Sequence, residues 1–152
     1  MPRIGYGQDW LENVRVSALA DTGAILALLD RNDRWHPACV EAFASLRLPL
    51  ITSAAVLTEL FHLVGDNPHE VKAAWSFVRS GALSVAPIVH EDLAELERLM
   101  AKYADRPMDF ADATLVLLAR REAITTVFTV DFNDFATYRI EGRRKFRMLP
   151  TR

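Results

Sequence analysis

Short apolar runs alternate along the chain with longer segments whose apolar positions recur at helical spacing. Residues 16–20 (VSALA) form a compact apolar run that ends at Asp21, which is typical of a buried strand. Similar runs recur at intervals, and Pro87 interrupts one of them. The pattern predicts further strands at residues 48–51, 83–89, 125–130 and 146–149.

The segments between these runs predict amphipathic helices. Thr52, Ser53 and Asn67 are favoured capping residues, and apolar positions at helical spacing follow them. The stretch from 109 to 122 is apolar nearly all round, which predicts a helix buried at the centre of the domain. Together the patterns predict helices at residues 22–30, 37–46, 53–64, 68–80, 90–103 and 109–122.

The alternation of strands and helices places the chain in the α/β class. Short strands followed by helices predict a parallel sheet with helices on both faces. A length of 152 residues suits one domain, which we assign to residues 14–152. Residues 1–13 carry no clear period, and we expect them to be a leader or an extension outside the core. In such folds the functional site lies beyond the carboxyl ends of the strands.

Composition and charge exclude several classes of protein. Hydrophobic residues make up 51% of the chain and charged residues 25%, which is ordinary for a globular protein and excludes a disordered one. The net charge of −2 excludes a polycation that coats nucleic acid. The single cysteine, Cys39, excludes an intramolecular disulfide framework and a zinc site built on paired cysteines.

The chain carries no sign of a membrane or secretory destination. No apolar run approaches the roughly 18 residues that a membrane span needs. The N-terminus also lacks the basic and then apolar pattern of a signal peptide. We therefore expect a cytoplasmic protein without a membrane partner.

Two predicted strands lead into aspartates. Asp21 follows residues 16–20 and Asp131 follows residues 125–130, so both carboxylates are expected at the same edge of the sheet. Each has a second interpretation, because aspartate is also a favoured N-cap for the helix that follows a strand. For either aspartate taken alone, the interpretation as a helix cap and the interpretation as a functional acid are equally open.

Acids on two predicted helices extend this set. Glu59 stands in the second turn of a helix that follows a strand, where a solvent-facing glutamate is the alternative. Asp112 stands in the first turn of the most apolar helix, and a buried carboxylate without a partner is strongly destabilising. Asp109, three residues earlier, is expected to cap that helix, with a metal-ligand role as the alternative.

Four carboxylates that converge on one site need a positive charge among them. No Lys or Arg stands next to Asp21, Glu59, Asp112 or Asp131. Magnesium and manganese are the cations that hard carboxylate oxygens prefer, and they also bind phosphate oxygens. The pattern therefore favours a metal-dependent enzyme that cleaves phosphodiester bonds.

Four segments, in their order along the chain, resemble a known family. The first holds Asp21, the second Glu59, the third Asp112 and the fourth Asp131. Their sequences are ALADTGAILALLDRND, ITSAAVLTEL, MDFADATLVLLARR and VFTVDFNDFATYR. Over residues 17–150 the chain resembles the PIN-domain ribonucleases, and within them the VapC-like toxins of bacterial toxin–antitoxin pairs.

The resemblance implies a fold, an activity and partners. The implied fold is a three-layer α/β/α sandwich around a parallel sheet of four or five strands. The implied activity is endonucleolytic cleavage of RNA with magnesium or manganese. Toxins of this kind usually form homodimers, and a small antitoxin silences them by inserting its tail into the acidic site. An RNA-processing nuclease of the same fold, without an antitoxin, is the alternative within the family.

The resemblance also implies roles for particular residues. The family's metal-binding acids match Asp21, Glu59, Asp112 and Asp131. The family's small hydroxyl residues match Thr22 and Thr129, and Asn133 and Asp134 fall where some members carry a further polar ligand. Asp109 departs from the family's pattern as an extra carboxylate beside Asp112, so the third ligand is either of the two.

Basic residues are the candidates for contact with RNA. Arg139, Arg143 and Arg144 belong to a net positive stretch near the C-terminal end, which suits binding to RNA phosphates. Arg31 and Arg34, in the loop after the first predicted helix, form a second candidate pair. The alternative for both groups is an exposed face or turn that contacts only solvent.

A signalling or binding module of the receiver type is the alternative outside the nucleases. Such a domain also gathers aspartates at strand ends, but it needs a lysine at the end of its last strand. None of the three lysines, Lys72, Lys102 and Lys145, stands at that position. A nuclease is therefore the favoured interpretation.

Overall fold

Five parallel strands form one sheet in the computed structural model, which describes residues 15–152. The order across the sheet is β3-β2-β1-β4-β5. The strands are β1 (Val16–Ala20), β2 (Leu46–Thr52), β3 (Leu83–Val85), β4 (Thr126–Phe128) and β5 (Arg147–Leu149). The leader that we expect at residues 1–13 lies outside the described residues.

Seven α-helices of the described chain connect and cover the strands. They are α1 (Thr22–Leu29), α2 (His36–Ala44), α3 (Ala54–Val64), α4 (Pro68–Arg79), α5 (Leu93–Lys102), α6 (Phe110–Arg121) and α7 (Phe132–Thr137), with a 3-10 turn at His90–Asp92 before α5. Among the helices of residues 15–152, none combines the length and the apolar character that crossing a bilayer requires.

Burial in the central strand shows that helices cover both faces of the sheet. Ala18, Leu19 and Ala20 are at most 1% exposed. Successive side chains of a strand point to opposite faces, so a strand buried at every position has a layer on each side. The predicted α/β class and the three-layer sandwich are therefore confirmed, and the sheet has five strands.

Helix α6 is the most buried helix of the described chain. Every residue from 111 to 119 is buried, and the helix packs against β1, β2, α3 and α5. Asp109 caps it, because its carboxylate accepts a hydrogen bond of 2.8 Å from the N–H of Asp112. The prediction of a central, nearly all-apolar helix is confirmed, as is the N-cap interpretation of Asp109.

Several predicted boundaries are wrong for identifiable reasons. Leu46 does not end a helix but begins β2, where it pairs with Val16, while Ser45 ends α2. The run at 83–89 forms a strand only as far as Val85, because Pro87 lacks the N–H that a strand ladder requires. The predicted helix at 90–103 begins as a 3-10 turn. Helix α7 was not predicted from the sequence.

The strand order creates a crevice between β1 and β4. The chain moves outward from β1 to β2 and β3, and then returns to place β4 on the other side of β1. In open α/β sheets the ligand site lies at such a switch point, beyond the carboxyl ends of the strands. Asp21 directly follows β1 there, and its N–H donates a 2.9 Å hydrogen bond to the carbonyl of Phe128 at the end of β4.

Candidate functional site

An acidic cavity of about 320 Å³ opens at the switch point between β1 and β4. It brings together all four predicted acids, although they come from four separate parts of the chain. Among the residues of the described chain that line it, none is Lys, Arg or His. These residues are Asp21, Thr22, Gly23, Glu59, Leu63, Asp109, Asp112, Val130 and Asp131.

Asp21 is held at the floor of the acidic cavity by two hydrogen bonds. One carboxylate oxygen accepts from the N–H of Thr22 at 2.9 Å, so Asp21 does cap α1. The other accepts from the hydroxyl of Thr129 at 2.7 Å. Burial nevertheless raises the pKa of Asp21 from 3.8 to about 7, since desolvation outweighs both hydrogen bonds. The helix-cap interpretation of Asp21 is therefore confirmed, and its role as a metal ligand stays a prediction.

Asp112 is the second buried acid, and it is 7% exposed. Its Oδ2 accepts a 2.7 Å hydrogen bond from the hydroxyl of Tyr138. Burial, followed by the nearby charge of Asp21, raises the pKa of Asp112 to about 8. Two buried carboxylates with raised pKa values make this cavity the candidate functional site.

Glu59 and Asp131 stand nearer to the rim of the acidic cavity. Glu59 is half-buried on α3, and its pKa is raised by burial and by the charge of Asp109. Asp131 is exposed directly before α7, and its N–H donates to the hydroxyl of Thr129 at 2.9 Å. Partial burial and a hydrogen bond with Asp134 raise the pKa of Asp131 to about 6.

The chemistry of these donors fits a divalent cation. All the charged side chains that line the acidic cavity are carboxylates, which are the ligands that magnesium and manganese prefer. In the described part of the chain, no three acidic, His or Cys side chains already surround a single point at metal-ligand distances. Hydrogen bonds hold the buried carboxylates of Asp21 and Asp112, while Glu59 and Asp131 stand nearer to the rim.

A close backbone approach brings the two sides of the crevice together. A Cβ atom on Gly23 would lie 2.8 Å from Cγ2 of Val130, which is shorter than real Cβ contacts. Only glycine lets the first turn of α1 pass so near the segment that leaves β4. This approach sets the separation between the residues that follow β1 and those that follow β4.

The family model for the PIN domain matches residues 18–140 of the chain. The chain belongs to the PIN domain family. The family and the fold that the sequence predicts are therefore confirmed, and all four acids of this PIN domain lie within the matched residues.

Two comparisons extend this assignment. Ribonuclease VapC26 of Mycobacterium tuberculosis (strain ATCC 25618 / H37Rv) is 31% identical to this PIN domain over 135 residues, which are 87% of this chain and 99% of the relative. The crystal structure of Mycobacterium tuberculosis VapC20, described as a toxin that cleaves the sarcin-ricin loop, superimposes with a TM-score of 0.68. That match has 23% identity and covers 78% of this chain and 94% of the other, and it supports the fold.

Among the further polar candidates of this PIN domain, Thr22 and Asp109 line the acidic cavity, whereas Asn133 and Asp134 lie outside its wall. Asp134 reaches Asp131 from the first turn of α7. Asn133 faces the C-terminal end instead, where its side-chain oxygen accepts a 3.2 Å hydrogen bond from Arg152. Thr22 lines the cavity, and its hydroxyl donates to the carbonyl of Val56 at 3.4 Å.

The basic candidates are not part of the acidic cavity. Arg31 and Arg34 are exposed, and the guanidinium of Arg34 lies 4.9 Å from the ring of Trp35. Arg139 donates to the carbonyls of residues 136–138, and these bonds satisfy the end of α7. Arg143 and Arg144 are exposed before β5. Contact of these residues with RNA stays a prediction.

Two interactions around the acids could not be predicted from the sequence. Tyr138 contacts Asp112 across 26 positions of the chain, and no local pattern connects them. The hydroxyls of Ser53 and Thr114 lie 2.7 Å apart in the core and join α3, which carries Glu59, to α6. The predicted helix-cap role of Ser53 is confirmed, because its hydroxyl accepts from the N–H of Val56. The capping role does not predict its contact with Thr114.

Proposed function

We propose that this PIN domain is a metal-dependent endoribonuclease that hydrolyses phosphodiester bonds of RNA in the cytoplasm, and that it is the toxin of a toxin–antitoxin pair. The observation that carries the proposal is the convergence of five carboxylates, the four predicted acids and Asp109, on one cavity in which the described lining residues include no basic side chain. The 31% identity to a protein named as a ribonuclease supports the same chemistry.

Each acid has a distinct part in this proposal. Asp21 and Asp112 are the main ligands of a magnesium or manganese ion, because hydrogen bonds already hold their carboxylates in place. Glu59 and Asp131 complete the acidic set from the rim, directly or through water. When bound, the cation supplies charge neutralisation at the phosphate and activation of the attacking water. Thr22 and Thr129 orient the Asp21 carboxylate toward the cavity.

A groove beside the acidic cavity suits the proposed antitoxin. The groove shares Leu63 with the acidic cavity and runs between α1, α3 and α4. Leu26 and Leu29 make its wall apolar, while Asp30 and Glu70 make it acidic. An antitoxin segment with apolar residues and a basic tail would fit this combination and neutralise the carboxylates.

A second groove supports the proposed homodimer. This groove has a volume of about 1140 Å³, and it shares Glu59 and Asp109 with the acidic cavity. Four large apolar side chains on its wall are each 45–48% exposed. They are Val85, Val89, Leu93 and Phe110. A second copy of the chain would cover this apolar surface, and large exposed apolar patches mark interaction sites.

The decisive experiment is cleavage of total cellular RNA with magnesium or manganese, read by sequencing the new 5′ ends. Wild type is compared with Asp112→Asn, and Asp105→Asn serves as a matched surface control. We expect discrete cuts with wild type and the control, and none with Asp112→Asn. Metal binding without any cleavage by wild type would favour a binding module instead. Growth arrest that a neighbouring small gene relieves would separate a toxin from an RNA-processing enzyme.

A further inference from the structure

Tyr138 is a buried tyrosine whose hydroxyl points at a site acid. It is 0% exposed, and it donates its 2.7 Å hydrogen bond to Oδ2 of Asp112. It directly follows α7 and ends that helix, with its N–H bonded to the carbonyl of Asp134 at 3.0 Å. The segment that provides Asp131 at its start thus provides a hydroxyl for Asp112 at its end.

Aromatic packing leaves the phenol of Tyr138 no freedom to turn away. The ring meets Tyr103 edge-on at a centroid distance of 5.2 Å and Phe135 at 5.3 Å. The hydroxyl of Tyr103 bonds elsewhere, because it accepts a 2.9 Å hydrogen bond from the N–H of Arg139. Burial and the bond to Asp112 raise the pKa of Tyr138, so the phenol keeps the proton that it donates.

The other oxygen of Asp112 remains available. Tyr138 supplies the one side-chain hydrogen bond that residues 15–152 give to the Asp112 carboxylate, and it goes to Oδ2. Within the same residues, no fully buried side-chain oxygen lacks a hydrogen-bond partner. Oδ1 of Asp112 therefore reaches the solvent of the acidic cavity, which Asp112 lines.

We propose that Tyr138 is a positioning residue that anchors Oδ2 of Asp112 and thereby presents Oδ1 alone to the divalent cation. This inference rests on the metal site of the proposed function. Hydrogen bonds to the outer side of a ligating carboxylate fix its orientation, and their loss commonly weakens metal binding 10- to 100-fold. A purely structural tyrosine would affect folding but leave the affinity of the folded protein for metal unchanged.

The test is Mn²⁺ binding by Tyr138→Phe, measured by isothermal titration calorimetry and by the electron paramagnetic resonance signal of free Mn²⁺. Phenylalanine keeps the ring and its packing and removes only the hydroxyl. We expect the dissociation constant to rise about tenfold. Tyr103→Phe is the matched control, because it removes a hydroxyl from the same aromatic cluster without touching Asp112, and we expect wild-type affinity.

Two further measurements separate positioning from a loss of structure. Raising Mn²⁺ to saturation should restore RNA cleavage by Tyr138→Phe to near the wild-type rate. In an Asp112→Asn background, Tyr138→Phe should change Mn²⁺ affinity no further, because the two residues act through one contact. A partial loss of folding caused by Tyr138→Phe would instead lower Mn²⁺ affinity in both backgrounds, so the comparison distinguishes the two causes.

Three results would overturn the inference. They are an unchanged Mn²⁺ affinity in Tyr138→Phe, an equal loss in Tyr103→Phe, and a wild-type protein that binds no Mn²⁺. Failure of the nuclease proposal would look different. A wild-type protein that binds Mn²⁺ but cuts no RNA would refute the nuclease, while the ratio of the two dissociation constants would still decide the role of Tyr138.

Discussion

The hydroxyl of Thr129 donates a 2.7 Å hydrogen bond to Oδ2 of Asp21, although the two residues stand 108 positions apart. The same hydroxyl accepts from the N–H of Asp131 at 2.9 Å. One threonine therefore connects the acid after β1 to the acid that follows β4. This hydroxyl is therefore a side-chain link between the two sides of the crevice.

We expect Thr129→Val to weaken metal binding about tenfold at neutral pH. Valine keeps the shape but removes the donor, and the Thr129 hydrogen bond lowers the pKa of Asp21. Its loss raises that pKa further, so a cation must displace a more tightly held proton. Mn²⁺ titration calorimetry measures the effect.

Thr52→Val is the matched control for Thr129→Val. Thr52 is also fully buried, and its hydroxyl donates to the carbonyl of Ala20 at 2.9 Å. Its replacement should cost about 1 kcal/mol of stability and leave Mn²⁺ affinity unchanged. Equal affinities in wild type and Thr129→Val would show that the hydroxyl does not support Asp21.

The metal-free protein should lose stability as the pH rises. Burial raises the pKa of Asp21 to about 7 and that of Asp112 to about 8, from 3.8 for both. The folded state therefore holds these protons more tightly than the unfolded chain does. The free energy of unfolding should fall between about pH 4 and pH 8, because the unfolded carboxyls ionise first.

Urea denaturation in a chelator at pH 5 and pH 8 measures this dependence. Between pH 5 and pH 8 the loss spans about two pKa units for Asp21 and about three for Asp112, and one unit is worth about 1.4 kcal/mol, so we expect a combined loss of at most about 7 kcal/mol. Asp112→Asn should make the dependence of stability on pH less steep. In the wild-type protein, adding Mg²⁺ at pH 8 should raise the free energy of unfolding again. A flat wild-type profile would contradict the raised pKa values.

Gly23→Ala should disturb the crevice. The added methyl would meet Cγ2 of Val130 at 2.8 Å and push the segment that leads to Asp131 away from α1. We expect a loss of about 1–3 kcal/mol in stability and a weaker Mn²⁺ affinity. Val130→Ala removes the clashing group, so the double variant should regain most of both losses. A double variant as poor as Gly23→Ala would show that the close approach is not the cause.

Leu93→Asp should separate the proposed homodimer into monomers. Leu93 is 45% exposed on the wall of the apolar groove, and a charge there opposes burial against a second copy. Met100→Asp is the control, because Met100 is 36% exposed on the same helix α5 but does not line that groove. Light scattering at matched concentrations gives the masses. A monomeric wild type, or dissociation by both variants, would contradict this surface as the interface.

The acids were predictable because each stands beside a strong local pattern. Asp21 directly follows an apolar strand. Asp112 lies in the most apolar helix, with Ala111 and Ala113 on either side of it. A carboxylate in such a position stands out from a single sequence. The parallel sheet then brings the residues that follow its strands to one edge, so convergence follows from topology.

The supporting contacts were not predictable because they join distant parts of the chain. Tyr138 stands in an aromatic-rich segment, where a tyrosine indicates core packing as readily as a hydrogen bond to an acid. Helix α7 has six residues and no side-chain hydrogen bond at its N-cap, so neither a full helical period nor a capping signal marks it. Strand ends also depended on pairing, as Leu46 shows by joining β2.

The position of β1 between β2 and β4 has a consequence for synthesis of the chain on the ribosome. A nascent chain that has emerged only as far as α6 already contains Asp21, Glu59 and Asp112. It still lacks β4, Thr129 and Tyr138. The β4 side of the crevice is therefore missing, and Asp21 and Asp112 do not yet have their hydroxyl partners. The acidic cavity is therefore assembled only after the chain as far as Tyr138 has been synthesised, so the proposed metal site cannot form on a shorter nascent chain.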